Sequence, residues 1–265
     1  MTSLSLLALT NFVVARLSHK PFRETEEPKV SVIVPARNEA GNIDGIITRT
    51  PDMGKGTELV FVEGHSRDNT REAIREAMAN HPKRPCKLIQ QVGIGKADAV
   101  QSGIRVAEGD LLMILDADLT VPPESLPRFY DALISSKCDF ANGVRLVYPM
   151  EERAMRFINL VGNRFFSMTF SWLLGQPVKD TLCGTKVFWR GDYERIVRSQ
   201  KCFTEIDPFG DFYLLFGAAR LNLKLLDVPI RYAERTYGKT NIHRWRHGWL
   251  LIRMAWLAMK EIKFV

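Results

Sequence analysis

Between residues 30 and 136 short β-branched runs alternate with longer stretches of helical spacing, and no other feature of the chain restricts its fold as much. VSVIVP (30–35), ELVFVEG (58–64), CKLIQQV (86–92) and GDLLMILDAD (109–118) are strand-like. The segments after them, RNEAGNIDGIITRT, SRDNTREAIREAMANH, KADAVQSGIRVAEG and PPESLPRFYDALISS, place apolar residues at helical intervals. Ser66 is the predicted N-cap of the second helix, and prolines start the fourth. Strands separated by helices at this spacing predict an α/β fold: a mainly parallel sheet covered by helices on both faces. SHKPFRETEEPK (18–29), polar and twice interrupted by proline, reads as the linker before the first strand.

In open sheets of this kind ligands sit where the loops converge, at the carboxyl ends of the strands. Those ends carry Pro35 to Glu39, Glu63 to Asp68, Gly93 to Lys96, and Asp116 to Asp118, a polar and partly acidic set. The apolar run LLMIL leads directly into Asp116 and Asp118. An extended D-x-D turns both carboxylates to one side, which suits a hard divalent cation whose shell bridging phosphates complete. A second reading of the same spacing is that Asp118 and Thr120 only cap the helix that follows.

The chain is globular in composition, 46% apolar and 25% charged, and its 37 basic residues against 30 acidic ones give +7, which favours an anionic partner. The excess lies late: from Asp227 onward eight Lys or Arg stand against three acids. Nucleic acid is excluded as that partner, because aromatic residues fall in apolar runs and are not interleaved with Lys and Arg. No P-loop or G-x-G-x-x-G can be written around GIGK (93–96). Cys86, Cys138, Cys183 and Cys202 lack metal or paired spacing and read as reduced, mostly buried thiols of a cytosolic protein. MTSLSLLALTNFVVARL is broken by Ser3, Ser5, Thr10 and Asn11, falls short of the ~20 residues a bilayer span needs, and lacks a signal peptide's basic start. The C-terminal HRWRHGWLLIRMAWLAMKEIKFV mixes Trp, Leu and Met with Arg and Lys, as a helix lying in an anionic interface does. Packing on the domain or on an oligomer partner is the other reading.

The blocks VSVIVPARNEAGNI, ELVFVEGHSRDNT, GIGKADAVQSGI, GDLLMILDADLTVPPE, VKDTLCGTKVF and IRYAERTYGKTNI, in this order over roughly residues 30 to 245, resemble the family 2 glycosyltransferases with the GT-A fold. Within them they are similar to the dolichol-phosphate mannose synthase-like, polyprenyl-phosphate glycosyltransferase group. The resemblance implies that Pro35, Ala36, Asn38 and Glu39 form the first nucleotide loop, that Glu63 faces the base or ribose, and that Lys96 lies beside the nucleotide. It implies that Asp116 and Asp118 hold Mg2+ or Mn2+ on the diphosphate of a GDP- or UDP-sugar. On the acceptor side it implies Arg145 as the arginine meeting a phosphate, with Arg156 or Arg164 as a second. Asp180 to Gly184 would shape that side, and Gly238, Lys239 and Thr240 would form a basic loop closing over the phosphates. VEGHS stands where the family has V-D-D-x-S, and Thr120 where mannose synthases tend to have a glutamine, which leaves base preference and metal affinity open.

The implied reaction is an inverting transfer from the nucleotide sugar to a polyprenyl phosphate, dolichyl or undecaprenyl. Asp118, Arg145 and Lys239 are its catalytic candidates. A lipid phosphate is already an anion and needs no base, whereas a sugar or lipid hydroxyl would need one, and Asp211 in DPFGDF is the candidate. A catalytically silent nucleotide-sugar-binding scaffold is the remaining alternative. The expected organisation is an amphipathic segment and linker (1–29), a GT-A domain (30–243) and an amphipathic C-terminal helix (244–265). The protein would sit peripherally on the cytoplasmic face of a membrane, as a homo-oligomer or beside a partner subunit.

Overall fold

In the computed structural model the described residues are 26–145, 157–199, 210–235, 237, 252–256 and 258–260, with backbone alone for 157–163. The first half follows the predicted alternation: β1 (Val30–Ala36), α1 (Ile43–Arg49), β2 (Thr57–Glu63), α2 (Thr70–Asn80), β3 (Cys86–Gln90), α3 (Lys96–Val106), β4 (Leu111–Ile114) and α4 (Leu126–Ile134). The second half adds β5 (Phe140–Val144), α5 (Phe157–Leu174), β6 (Lys186–Trp189), α6 (Arg190–Ser199), α7 (Asp211–Arg220) and β7 (Leu225–Pro229). The strands form one seven-stranded sheet in the order β3-β2-β1-β4-β6-β5-β7. β3, β2, β1 and β4 run parallel, β6 is antiparallel to both β4 and β5, and β5 is parallel to β7.

Central strands with both faces covered lose the in-out alternation of polarity and read as continuous apolar runs, as β1, β2 and β4 do. Successive residues still serve opposite faces. Ile33, Val62 and Ile114 join α3, α5 and α7 in one core with Phe170, Phe212 and Phe216. Val32, Val34 and Met113 join α1 and α4 in the other, with Ile46 and Phe129. At Gly103 in α3 a Cβ would fall 2.5 Å from Ile33 Cγ2, so glycine lets this helix lie close on the strands whose ends carry the site.

Two local expectations are corrected. Ser66 does not cap α2, which begins at Thr70 with Asn69 as its N-cap; Ser66 is drawn into the β1–β2 loops, where its Oγ accepts from the Asn38 amide and its own amide donates to Glu63. The helix after β1 starts only at Ile43, because Asn38 takes a left-handed φ of 58° and a short 3-10 turn, Ala40–Asn42, intervenes.

At the C-terminal end, Met254, Ala255 and Ala258 are buried in the core that holds Phe170 and Phe212, while Ile252 and Trp256 face outward with the Lys260 ammonium 4.0 Å over the Trp256 ring. No described helix is long and apolar enough to cross a membrane. Cys86, Cys138 and Cys183 are free, and burial pushes their thiols up to about 11, 12 and 11. Cys202 and residues 1–25 lie outside the described residues.

Candidate active site

The carboxyl ends of β1 and β2 lie side by side, with Pro35 opposite Val62 and Ala36 opposite Glu63. Beyond them the loops are laced together. The Asn38 amide donates to Ser66 Oγ at 3.1 Å, Asn38 Oδ1 accepts from the Arg67 amide at 2.7 Å, and Glu63 Oε1 accepts from the Ser66 amide at 2.6 Å. Glu39 is buried among them, its amide donating to Thr70 Oγ1 at 2.9 Å and its carboxylate accepting from Asn42 Nδ2 at 2.8 Å. Burial pushes the Glu39 carboxyl up to about 7; Arg235 pulls against that rise and the charge of Asp118 adds to it.

Asp116 and Asp118 stand at the carboxyl end of β4 but do not form the extended, same-sided D-x-D expected of them. The strand ends at Ile114, Ala117 and Asp118 are in a turn, and Leu119 takes a φ of 55°. The two carboxylates take different partners. Asp116 Oδ1 meets the Lys96 ammonium at 2.5 Å. Asp118 Oδ1 accepts from the Thr120 amide at 3.1 Å and hydroxyl at 2.7 Å, while its Oδ2 accepts from Arg235 Nη2 at 2.6 Å. Asp118 thus closes its own turn and caps no helix. Burial opposes the charge of Asp116, but the cations of Lys96, Lys186 and Arg145 outweigh it and hold the carboxyl below its usual range.

Arg235 reaches this end from the segment after β7 and joins the loops, its Nη1 donating to Glu39 at 2.7 Å while its Nη2 holds Asp118. No sequence reading singled it out, although it stands inside the quoted block IRYAERTYGKTNI, ahead of the G-K-T that drew attention instead.

Asp116 and Asp118 offer only carboxylate oxygens, the donor type a hard cation takes, and Mg2+ commonly uses one or two carboxylates with substrate phosphates completing its shell. No group of three or more His, Cys, Asp or Glu among the described residues could hold a metal unaided. The pair fits such a cation together with a diphosphate, on condition that Arg235 releases Asp118.

The other side of the site is built differently. Arg145, just beyond β5, grips the fully buried Asp180 through Nε at 2.7 Å and Nη2 at 2.8 Å, and its guanidinium lies 5.2 Å from the Tyr232 ring centroid. Asp180 Oδ1 also accepts from the Leu182 amide, fixing the turn that runs to Gly184. A Cβ on Gly184 would collide with Asp116 Oδ2 and Lys96 Nζ, so this turn is pressed against the ion pair of the first half. Asp211 opens α7 and lies 3.7 Å from the ammonium of Lys186, a lysine with no solvent exposure in the middle of the sheet. Lys186 also escaped the sequence reading; its signal is a charge heading the apolar strand KVFW.

The structure therefore brings Pro35, Ala36, Asn38, Glu39, Glu63, Lys96, Asp116, Asp118 and Asp211 to one end of the sheet, with Arg145 alongside. Arg164 is exposed on α5, and no hydrogen bond or ion pair among the described residues joins it to that cluster. Arg156, Gly238, Lys239 and Thr240 lie outside the described residues.

A mixed sheet with these charged loops at its carboxyl ends is a GT-A fold, and residues 31–197 match Glycosyl transferase family 2, so the chain belongs to that family. Among curated proteins it is 25% identical over 215 residues to the undecaprenyl-phosphate 4-deoxy-4-formamido-L-arabinose transferase of Edwardsiella ictaluri (strain 93-146), an alignment covering 80% of this chain and 62% of that protein. The chain thus spans about three-fifths of the length of that relative. Among solved structures, a mannosyltransferase from Pyrobaculum calidifontis in complex with GDP-Man and Mn2+ superposes with a TM-score of 0.63 at 23% identity, over 90% of this chain and 66% of its own. Glucosyl-3-phosphoglycerate synthase from Mycobacterium tuberculosis, in complex with Mn2+, UDP and glucosyl-3-phosphoglycerate, does so with a TM-score of 0.65 at 16% identity, over 89% of this chain and 80% of its own. These likenesses establish the shared fold.

Proposed function

We propose that this protein transfers a sugar, with inversion, from a GDP- or UDP-sugar bound with Mg2+ or Mn2+ to a polyprenyl phosphate. The observation that carries the reading is the convergence of Glu39, Lys96, Asp116, Asp118 and Arg235 at the carboxyl ends of β1, β2 and β4. It is supported by the family, by the curated relative named for undecaprenyl phosphate, and by neighbours whose structures hold GDP-Man or UDP with Mn2+.

Pro35, Ala36, Asn38, Glu39 and Glu63 enclose the nucleoside, where the laced loops keep them in place before the donor arrives. Arg235 moves from Asp118 to the diphosphate, exchanging one anionic partner for another, and Lys239 adds a second cation there. Asp116 and Asp118 would hold the cation, which would supply positive charge to the leaving diphosphate. Arg145 is the acceptor-phosphate ligand of this reading, its Nη1 edge being the one not taken by Asp180; Arg156, Arg164 and Lys239 are further candidates for that role. The phosphate reading is favoured over a hydroxyl acceptor because Asp211, the base that a hydroxyl would need, already faces a buried lysine. Exposed Phe165, Met168 and Trp172 on α5, and Ile252 and Trp256 beside Arg253 and Lys260, support peripheral attachment to the cytoplasmic face of a membrane.

The test is a turnover panel of GDP- and UDP-sugars with Mn2+, each with and without a short polyprenyl phosphate. A glycosyl-phosphate lipid is the expected product, and the active donor names the base. Donor binding without transfer to the lipid phosphate would turn the assignment to a hydroxyl acceptor or to a silent scaffold.

A further inference from the structure

Behind Asp116 lies a buried pair of charges that the proposed reaction does not use. Lys186 has no solvent exposure, and its ammonium donates to the carbonyl of Cys183 while facing Asp211 at 3.7 Å. Cys183 leads into Gly184, whose backbone is packed so tightly on Asp116 and Lys96 that no side chain fits. On the far side, Gly210 at φ 74° brings the start of α7 onto α3, where a Cβ would lie 3.1 Å from the Ala97 Cα, one residue past Lys96. Lys96 itself meets Asp116 Oδ1 at 2.5 Å. Two anions and two cations thus alternate: Lys186, Asp211, Lys96, Asp116.

We propose that Lys186 and Asp211 are a positioning pair for Asp116, Lys186 acting through the Cys183–Gly184 turn and Asp211 through Lys96. A lone buried lysine is costly, and its partner makes it tenable. Together they fix the wall and the cation against which Asp116 rests, as outer partners fix the ligands of a metal site. Asp211 is then half of an ion pair and does not act as a base. The inference rests on the transferase reading, since it gives Asp116 a place in donor binding.

The experiment uses the full chain and the variants Lys186→Met, Asp211→Asn and their combination. Binding of Mn2+ with UDP and with GDP is followed by titration calorimetry, turnover by kcat and donor KM, and melting by circular dichroism. Each single variant is expected to weaken Mn2+–nucleotide binding and raise donor KM by about 10–100-fold, the double variant no more than the worse single one. Each is also expected to melt on the order of 10 °C lower, with the double variant well short of the sum. Three results would overturn the pair: Lys186→Met melting early yet binding Mn2+–nucleotide as wild type does, losses that multiply, or Asp211→Asn losing kcat alone with donor KM intact, which is the mark of a base. If the wild type binds neither nucleotide, the transferase reading fails separately. The melting cycle then decides, and additive shifts would show that Lys186 does not hold Asp211.

Discussion

The charges at the carboxyl ends of β1, β2 and β4 and those around β5, β6 and α7 face each other across Gly184, and they are held in opposite ways. On the first side the partners are joined by side chains with some access to water: Arg235, about a quarter exposed, links Glu39 and Asp118, and Lys96, similarly exposed, meets Asp116. On the second side one member of each pair, Asp180 and Lys186, has no exposure at all, and Arg145 and Asp211 have little. A partly solvated ion pair is worth little and is easily traded for another, whereas breaking a buried one strands a charge. The difference separates contacts a ligand can take over from contacts that hold the frame it binds to.

The strongest way to break that separation is at Asp118. Asp118→Ala should lower turnover with Mg2+ or Mn2+ by about 10³-fold or more, several kcal/mol of lost charge stabilisation, while melting changes little. Steady-state rates set against melting curves check it; unchanged turnover would remove Asp118 from the metal.

Asp180→Asn should do the reverse. It leaves the Arg145 guanidinium buried without its anion and should cost about 3–5 kcal/mol of stability in denaturant unfolding. Arg145→Ala should depress use of the lipid phosphate far more than hydrolysis of the donor, and an equal loss in both would take Arg145 out of the acceptor site.

The two sides were also unequally legible in the sequence. β1, β2 and β4 announce themselves because parallel strands covered on both faces read as continuous apolar runs, and the residues at their ends follow from the fold rule for open sheets. The direction of Asp116 and Asp118 was not legible, since it depends on where the ladder with β1 stops and on the left-handed turn at Leu119. Arg235 and Lys186 were missed for a related reason. Each meets its partner across a long stretch of chain, Arg235 with Glu39 across 196 positions, and no local spacing encodes such a meeting. The resemblance implies that Asp180 to Gly184 shapes the acceptor side, but its tight fit against Asp116 needs the sheet order that puts β6 next to β4.

Glu39 gives a sharper reading of the solvated side through pH. Burial holds its carboxyl at about 7, above its ordinary 4.5, so between these values the folded protein keeps a proton that the unfolded chain has released. Its contribution to stability is therefore whole below about 4.5 and is lost as pH rises through about 7, up to about 3 kcal/mol in all. Unfolding free energies of wild type and Glu39→Gln from pH 4.5 to 8 should diverge by that amount, and parallel curves would place Glu39 in a more solvated setting than the structure gives it.

The smallest effect is expected at Arg235, and it tests the exchange most directly. Arg235 holds Asp118 Oδ2 at 2.6 Å, the oxygen a cation on Asp118 would need. A pair with this exposure is worth about 1 kcal/mol, so Arg235→Gln should tighten binding of Mn2+ alone by roughly fivefold. Turnover should fall in the same variant, because the guanidinium that left Asp118 is also the one that meets the diphosphate. Calorimetric titration with Mn2+ in the absence of nucleotide separates the two effects. Tighter metal binding with slower turnover makes Arg235 a group that the donor recruits away from Asp118, whereas unchanged Mn2+ affinity would mean that arginine and cation do not compete for that carboxylate.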